Sequence, residues 1–362
     1  MNNLKQNKRV VVAMSGGVDS SVVACILKEQ GYEVIGITLQ LYKSNDQKVN
    51  AKSCCAGQDI YDAKEVARKI NIPHYVLDYE EKFNDLVINN FIESYQKGET
   101  PIPCVQCNQY IKFSELLSTA KGYGADYLAT GHYIKTFHKD NLNRLYIAND
   151  KNKDQSYFMF QTKKKDLSFL KFPLGDLKKT KTRALADKYK IPVANKPESQ
   201  DICFIPDGNY RNFLKKYSGF GKKGQIQDEK GNILGVHDGI ENYTIGQRKH
   251  LKIAIGEPLY VLRIIKSTNK VIVGKKTSLL QNNFSITNFN WLGDGSLDEN
   301  IILKNVLVKV RARHSPIAAE VKVCSQHNAV IKLNRPASSI AKGQGCVLYK
   351  DDGQLLGGGW IQ

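Results

Sequence analysis

Three consecutive valines, Val10 to Val12, sit between Arg9 and Ala13 in a run that is apolar at every position. Such a run reads as a strand covered on both faces. Over 18–30 the apolar residues recur at helical spacing and stop at Gly31, which predicts an amphipathic helix with a glycine at its end. A second strand is expected over 32–39, a second helix over 59–70 ahead of Pro73, a short strand over 74–77 and another over 127–130. Strands alternating with helices predict an α/β fold built on a doubly wound parallel sheet. Ligands of such sheets lie beyond the carboxyl ends of the strands, so the loops after Met14, Leu39 and Thr130 should gather into a site. Further helices are expected over 108–121, over 178–190 and around 210–217. Beyond Lys223 short alternating stretches are separated by turn signals at 228–232, 267–270, 326–328 and 350–353, predicting an all-β, barrel-like domain. No internal repeat is visible. The expected division is 1–162, a small basic segment 163–223, and 224–362.

Composition narrows the class. In 362 residues, 41% hydrophobic and 24% charged side chains are enough to build a core, and the length suits two or three domains. No apolar run approaches the roughly 18 residues of a membrane span, and residues 1–9 are polar and basic, so a soluble cytoplasmic protein without membrane attachment is expected. The excess of 53 Lys and Arg over 35 Asp and Glu gives a net charge of +18, suited to a polyanionic partner. Residues 151–223 alone hold 18 basic against seven acidic side chains, making them the candidate nucleic-acid contact. A solvated lysine-rich surface is the other reading of the same charge. The eight cysteines, at 25, 54, 55, 104, 107, 203, 324 and 346, are expected as thiols in a reducing compartment.

Between the first strand and first helix stands Ser15-Gly16-Gly17-Val18-Asp19-Ser20. Two glycines let backbone amides approach an anion, and the helix N-terminus favours negative charge, so the segment reads as a phosphate cradle. It has neither the lysine of a Walker A loop nor the G-x-G-x-x-G spacing of a dinucleotide fold. A glycine turn with a Ser or Asp cap is the simpler alternative. Ala13 to Ser21 resembles the SGGxDS loop of the N-type ATP pyrophosphatases, the PP-loop superfamily, which cleave ATP to AMP and pyrophosphate. Thr100-Pro101-Ile102-Pro103-Cys104-Val105-Gln106-Cys107-Asn108, followed by Ile111-Lys112-Phe113, is similar to the TPNPxxxCNxxIKF motif of the tRNA-specific 2-thiouridylase family. In order there follow Cys54-Cys55, Ala129-Thr130-Gly131-His132-Tyr133, Lys153-Asp154-Gln155-Ser156-Tyr157-Phe158, Glu198-Ser199-Gln200-Asp201-Ile202-Cys203-Phe204-Ile205 and Tyr243-Thr244-Ile245-Gly246-Gln247-Arg248, each similar to a stretch of that family.

The resemblance implies ATP-dependent 2-thiolation of the wobble uridine in tRNA: adenylation of the C2 carbonyl oxygen, then replacement of AMP by persulfide sulfur. It assigns ATP to Ala13, Met14, Ser15, Gly16, Gly17, Val18, Asp19 and Ser20, with Leu39 and Gly131, and makes Asp19 a Mg²⁺ contact. Cys203 would carry the persulfide received from a donor protein, and Cys107 would be its partner thiol through a transient disulfide. The position ahead of helix 108–121 would expose Cys107 to the helix dipole and favour its thiolate. In isolation, Cys203 between Ile202 and Phe204 also reads as an inert buried residue, and His132 as a core histidine. RNA contacts fall on Ile102, Pro103, Cys104, His132, Lys153, Asp154, Gln155, Arg311, Ala312 and Gln344, the partner being the anticodon stem-loop. Cys104 stands where the family can have an acidic residue, so the acid/base role is unassigned. Ala312 stands where an aromatic often separates two arginines, which removes stacking there. Cys54, Cys55, Cys104 and Cys107 could instead gather as four thiolates on zinc or an iron–sulfur cluster. Rival functions are an iron–sulfur-dependent tRNA thiolase, a non-catalytic tRNA-binding protein, and an amide-forming ATP pyrophosphatase.

Overall fold

The three valines of β1 (Arg9–Ala13) are fully buried, as a central parallel strand requires. In the computed structural model, which describes residues 8–42, 57–139, 142–198, 201–205, 208–219, 221–253, 256–338 and 340–362, the chain forms two compact units. One comprises the described residues up to Val87, with Cys104–Gly208 and Gly353–Leu355; the other comprises Ile88–Pro103, Asn209–Asp352 and Leu356–Gln362.

In the first unit β1 leads into α1 (Val18–Glu29), β2 (Glu33–Gln40), α2 (Gly57–Lys69) and β3 (His74–Asp78). A helical run follows, α3 (Glu80–Phe83), a π-helical turn (Asn84–Ile88) and α4 (Asn89–Gln96), the last belonging to the second unit. The chain re-enters with α5 (Pro103–Gln106), which continues without a break into a π-helix, Cys107–Leu116, and α6 (Leu117–Gly122). Then come β4 (Tyr127–Ala129), the hairpin β5 (Lys135–Lys139) and β6 (Leu142–Tyr146), β7 (Leu170–Lys171) and α7 (Lys179–Lys188). The sheet order is β3-β2-β1-β4-β7, all parallel. The chain runs one way from β1 to β2 and β3, and the other way to β4 and β7, so the switch point lies between β1 and β4. That is where such a sheet opens a crevice. Val22, Val23, Ala24 and Leu27 of α1 seal one face of the sheet together with Ala186 of α7 and Ile191.

The second unit contains α8 (Tyr210–Ser218), whose N-terminus is capped by Asn209 accepting the Asn212 N–H at 3.3 Å. Tyr210 stacks on Tyr95 of α4 at 4.7 Å between ring centroids, and Phe213 meets Phe91 edge-on at 6.0 Å. Beside them lies a four-stranded sheet formed by β8 (Gly224–Gln227), β9 (Ile233–His237), β10 (Tyr260–Ile265) and β11 (Lys270–Gly274), in the order β10-β11-β8-β9. The chain ends in a closed six-stranded barrel of β12 (Gln281–Trp291), β13 (Ile302–Lys309), β14 (Ile317–Ser325), β15 (Asn328–Ala337), β16 (Gly345–Tyr349) and β17 (Leu355–Ile361). Its interior holds Ile286, Val308, Val321, Ile331 and Leu348, alternating with exposed positions as barrel strands require. Among the described residues no helix is long and apolar enough to cross a membrane.

Candidate functional site

The loop after β1 is held in place by hydrogen bonds to its neighbours. Met14 donates its N–H to the Ile37 carbonyl (2.8 Å) and accepts from Thr38 Oγ1 (2.8 Å), which docks the loop on β2. Gly16 has φ +70°, and a Cβ there would stand 2.1 Å from the carbonyl oxygen of Asp59, so only glycine fits. Ser15 N–H donates to Ser20 Oγ (3.1 Å), and the Gly17 carbonyl accepts from Ser21 Oγ (2.8 Å). Lys196 clamps the loop from behind: its Nζ donates to the Gly16 carbonyl (3.1 Å), to Asp59 (2.5 Å) and to Asp62. The N–H groups of Gly16, Gly17, Val18, Asp19 and Ser20 reach no protein acceptor among the described residues. A row of free donors at the head of a helix fits a phosphate chain. Across the switch point, a Cβ on Gly131 would lie 2.9 Å from Ser20 N, so the loop after β4 approaches the same helix terminus through bare backbone. Leu39 is buried at the end of β2, paired with Leu77 of β3.

Asp19, in the first turn of α1, belongs to an ion-pair network. Lys179 Nζ donates to both its carboxylate oxygens (2.6 and 2.8 Å), and Tyr133 OH donates to one of them (3.0 Å). Lys179 also lies 3.3 Å from Glu198, which accepts from Lys153 at 2.6 Å and has Arg183 at 3.9 Å. These cations hold the Glu198 carboxyl below the ordinary range against the cost of its partial burial. Mg²⁺ prefers oxygen ligands with room for water. In this structure the Asp19 carboxylate, expected as a metal contact, pairs with the Lys179 ammonium and the Tyr133 phenol.

The thiols lie on the helical run beginning at Pro103, and this corrects the helix-start argument for Cys107. Proline at the first helical position starts the helix five residues early, which puts Cys107 inside a continuous helix. Cys107 is buried, and desolvation pushes its thiol up; Lys112 counteracts. Cys104 is exposed, yet desolvation by the surrounding protein and the neighbouring Cys107 raise its thiol to about 11, again opposed by Lys112. His132 sits 2.7 Å from Thr130 Oγ1 through Nδ1, with the rings of Phe113 and Phe172 at 6.0 and 6.2 Å. Desolvation and Lys112 push its pKa well below the ordinary histidine value, so the ring is neutral near pH 7. Asn108 Nδ2 donates to the Phe158 carbonyl (3.2 Å), fixing this helix to the 156–159 turn. Cys203 is half-buried, and its carbonyl accepts from Tyr42 OH at 3.1 Å. The next residue, Phe204, packs edge-on against Phe83 at 5.8 Å, on α3, which packs on the Cys107 helix. Cys104, Cys107 and Cys203 are not joined in disulfides. Cys54 and Cys55 lie outside the described residues. Among the described residues no group of three or more His, Cys, Asp or Glu is arranged to hold a metal.

Three sequence families cover the chain: residues 8–207 match one described as tRNA methyl transferase HUP domain, 211–275 a tRNA methyl transferase PRC-barrel domain, and 281–361 an aminomethyltransferase beta-barrel domain. The chain is 52% identical over 353 residues to the tRNA-specific 2-thiouridylase MnmA of Rickettsia canadensis, covering 97% of this chain and 95% of that protein. It is 52% identical over 359 residues to the protein of the same name from Orientia tsutsugamushi, covering 99% and 96%. With that of Rickettsia bellii it shares 51% over 362 residues, covering 100% and 98%. The chain belongs to the tRNA-specific 2-thiouridylase family.

Several residues that the family resemblance assigned to RNA are occupied within the thiouridylase fold itself. Lys153 pairs with Glu198; Asp154 accepts from Ala148 N–H (2.9 Å) and Ser156 Oγ (2.8 Å); Gln155 Oε1 accepts from Tyr133 N–H (2.9 Å). Gln155 braces Tyr133 a second time, donating its N–H to the Tyr133 carbonyl (3.0 Å). In the second unit, Gln344 Nε2 donates to the Thr100 carbonyl (2.9 Å), and Thr100 N–H donates to the Lys342 carbonyl (2.8 Å), which seats the segment carrying Ile102 and Pro103 on the barrel. Arg311 donates to the Ile245 carbonyl (3.1 Å), and Ala312 follows in the same half-buried turn. Sequence reasoning missed Lys179, Lys196 and Tyr133. Lys179 lies in Lys178-Lys179-Thr180-Lys181, where only the packing of α7 on α1 distinguishes one lysine from its neighbours.

Proposed function

We propose that this protein is an ATP-dependent tRNA-uridine 2-sulfurtransferase whose first unit performs both activation and sulfur transfer. Full-length identity of about half to 2-thiouridylases supports the reaction class. The observation that carries the residue assignments is that one compact unit holds an anion-binding loop and the Cys107 and Cys203 thiols. Methyl transfer, in the names of the matched domain families, has no use for that combination.

ATP is a substrate, its triphosphate received by the free N–H groups of 16–20, and Mg²⁺ enters only as the counter-ion ATP carries. Uridine O2 attacks the α-phosphorus; pyrophosphate leaves, and the adenylated oxygen becomes a good leaving group. A sulfur-donor protein loads Cys203 as a persulfide. Its terminal sulfur adds at C2 and AMP departs, leaving a disulfide between Cys203 and the base sulfur. The Cys107 thiolate attacks the Cys203 sulfur, the electron pair leaves on the base sulfur as 2-thiouridine, and a Cys107–Cys203 disulfide forms. The sulfane sulfur gains the two electrons that the thiols lose, and a dithiol reductant restores them. A cytoplasmic setting belongs to this reading because such thiols need a reducing compartment. Segments 163–223 and 224–362 are assigned to holding the anticodon stem-loop, from which a wobble base can be extruded for a few kcal/mol.

The test is to supply MgATP, unmodified tRNA and a persulfide source, and to quantify AMP and thionucleoside together for wild type, Cys203→Ser and Cys107→Ser. Wild type should make both in equal amounts, and Cys203→Ser should form AMP without thionucleoside. Thiolation at the wild-type level by both variants would sink the sulfur-carrier assignment, and absence of AMP from wild type would leave a tRNA-binding protein.

A further inference from the structure

Lys112 is the cation shared by every unusual group of the thiol site. It opposes the upward shifts of Cys104 and Cys107 and deepens the downward shift of His132, which places it near all three. The backbone explains why. An α-helix would turn residues five apart away from each other by about 140°. The segment Cys107–Leu116 is instead π-helical, a winding whose hydrogen bonds link residues five apart and which brings positions 107 and 112 close to one face. Phe113, the next residue, meets His132, which locks the register. Lys112 is half-buried and makes no hydrogen bond or ion pair with the described residues, unlike Lys82, which pairs with Glu115 of this helix. Among the described residues the elements packed on this helix place no carboxylate in a hydrogen bond or ion pair with Lys112: Glu80 of α3 holds Gln40, Glu81 is exposed, and the 156–159 turn brings a backbone carbonyl to Asn108.

We infer that Lys112 is the positioning residue that makes the Cys107 thiolate available in a site whose burial otherwise keeps the thiol protonated. This deepens the proposed function, since it matters only if Cys107 is the partner thiol. A half-buried, unneutralised ammonium next to a thiol stabilises its anion, which is the nucleophile in disulfide exchange. A thiol at Cys104, neutral near pH 7, leaves that ammonium undivided.

The test needs no turnover. Full-length protein is pulse-alkylated with iodoacetamide from pH 6 to 10, and the Cys107 peptide is quantified by mass spectrometry against exposed Cys324 as the internal reference. Lys112→Met and the polar, neutral Lys112→Gln are compared with Lys112→Arg, after thermal unfolding shows each variant is folded. The neutral variants should move the Cys107 profile up by about one pH unit, making alkylation at pH 7 about tenfold slower, and arginine should restore it to within about twofold. A profile that stays put in a folded neutral variant overturns the inference, as does an arginine variant as slow as the neutral ones. Thiolation by Cys107→Ser is measured separately: if it matches wild type, the partner-thiol reading fails while the Lys112–Cys107 coupling still stands.

Discussion

At the scale of single residues, the glycines before and after α1 are needed for different reasons. Gly16 combines a positive φ with an absent Cβ that would strike the Asp59 backbone, whereas Gly31, at φ +85°, has nothing within 4 Å. Gly16→Ala should therefore carry the conformational cost of about 1–3 kcal/mol and also displace the loop. We expect a lower Tm together with loss of AMP formation, while Gly31→Ala lowers Tm only. Retention of AMP formation by Gly16→Ala would show that the loop's shape is not what activates ATP. The Gly16-Gly17 pair was legible from the sequence because its spacing is the chemistry. The roles of Lys179 and Lys196 were not, because a lysine is chosen by what lies opposite it in space. Likewise the burial of Cys107, which opposes the local dipole argument, comes from side chains brought by other elements.

Elements were legible where local pattern and final environment agree. The valine run became the central strand, and the four turn signals at 228–232, 267–270, 326–328 and 350–353 all join antiparallel strands as expected. The π-helix was invisible, since its residues suit an α-helix equally well and only packing selects the wider winding. The α-helical turn that leads into it starts at Pro103, ahead of the start expected at Asn108. Between β2 and β3 another feature depends on pairing alone. Thr38 gives its proton to the Met14 carbonyl, so His74, 2.8 Å away, must donate from Nε2 and keeps an unprotonated Nδ1 that is buried without a partner among the described residues. Burial pushes this histidine down to about 4, with Lys64 adding repulsion. The unfolded chain takes up the proton first, near the ordinary value of 6.5, so stability is full above that pH and falls as pH drops towards 4. The shift corresponds to at most about 3 kcal/mol before solvent screening, and each kcal/mol moves Tm by about 2–4 °C. Melting curves between pH 7 and 4 should fall more steeply for wild type than for His74→Gln, which keeps a donor to Thr38 and cannot charge; parallel curves would refute this assignment.

At the scale of the whole molecule, the net charge of +18 is a statement about partners. For an anticodon stem-loop held mainly through phosphates, the plot of log affinity against log salt should have a slope of about −3 to −6, as roughly five to eight contacts to a flexible strand would give. Filter binding between 50 and 300 mM salt measures it, and a slope shallower than about −2 would return the basic segment to an ordinary solvated surface. Which segments fold together was beyond the sequence: residues 88–103 leave the sheet unit and join 209–352, through rings such as Tyr95 and Tyr210 that are far apart in the chain. By itself the sequence determined the parallel sheet, the phosphate loop, the succession of motifs and the charge, because each is written in residues close together or in a sum over the chain. Only the tertiary structure decided that Lys179 answers Asp19, that Lys196 clamps the Gly16 carbonyl, and that Gln155 holds Tyr133 from within. Those depend on distances of a few ångströms between groups that the chain brings together only when its core closes.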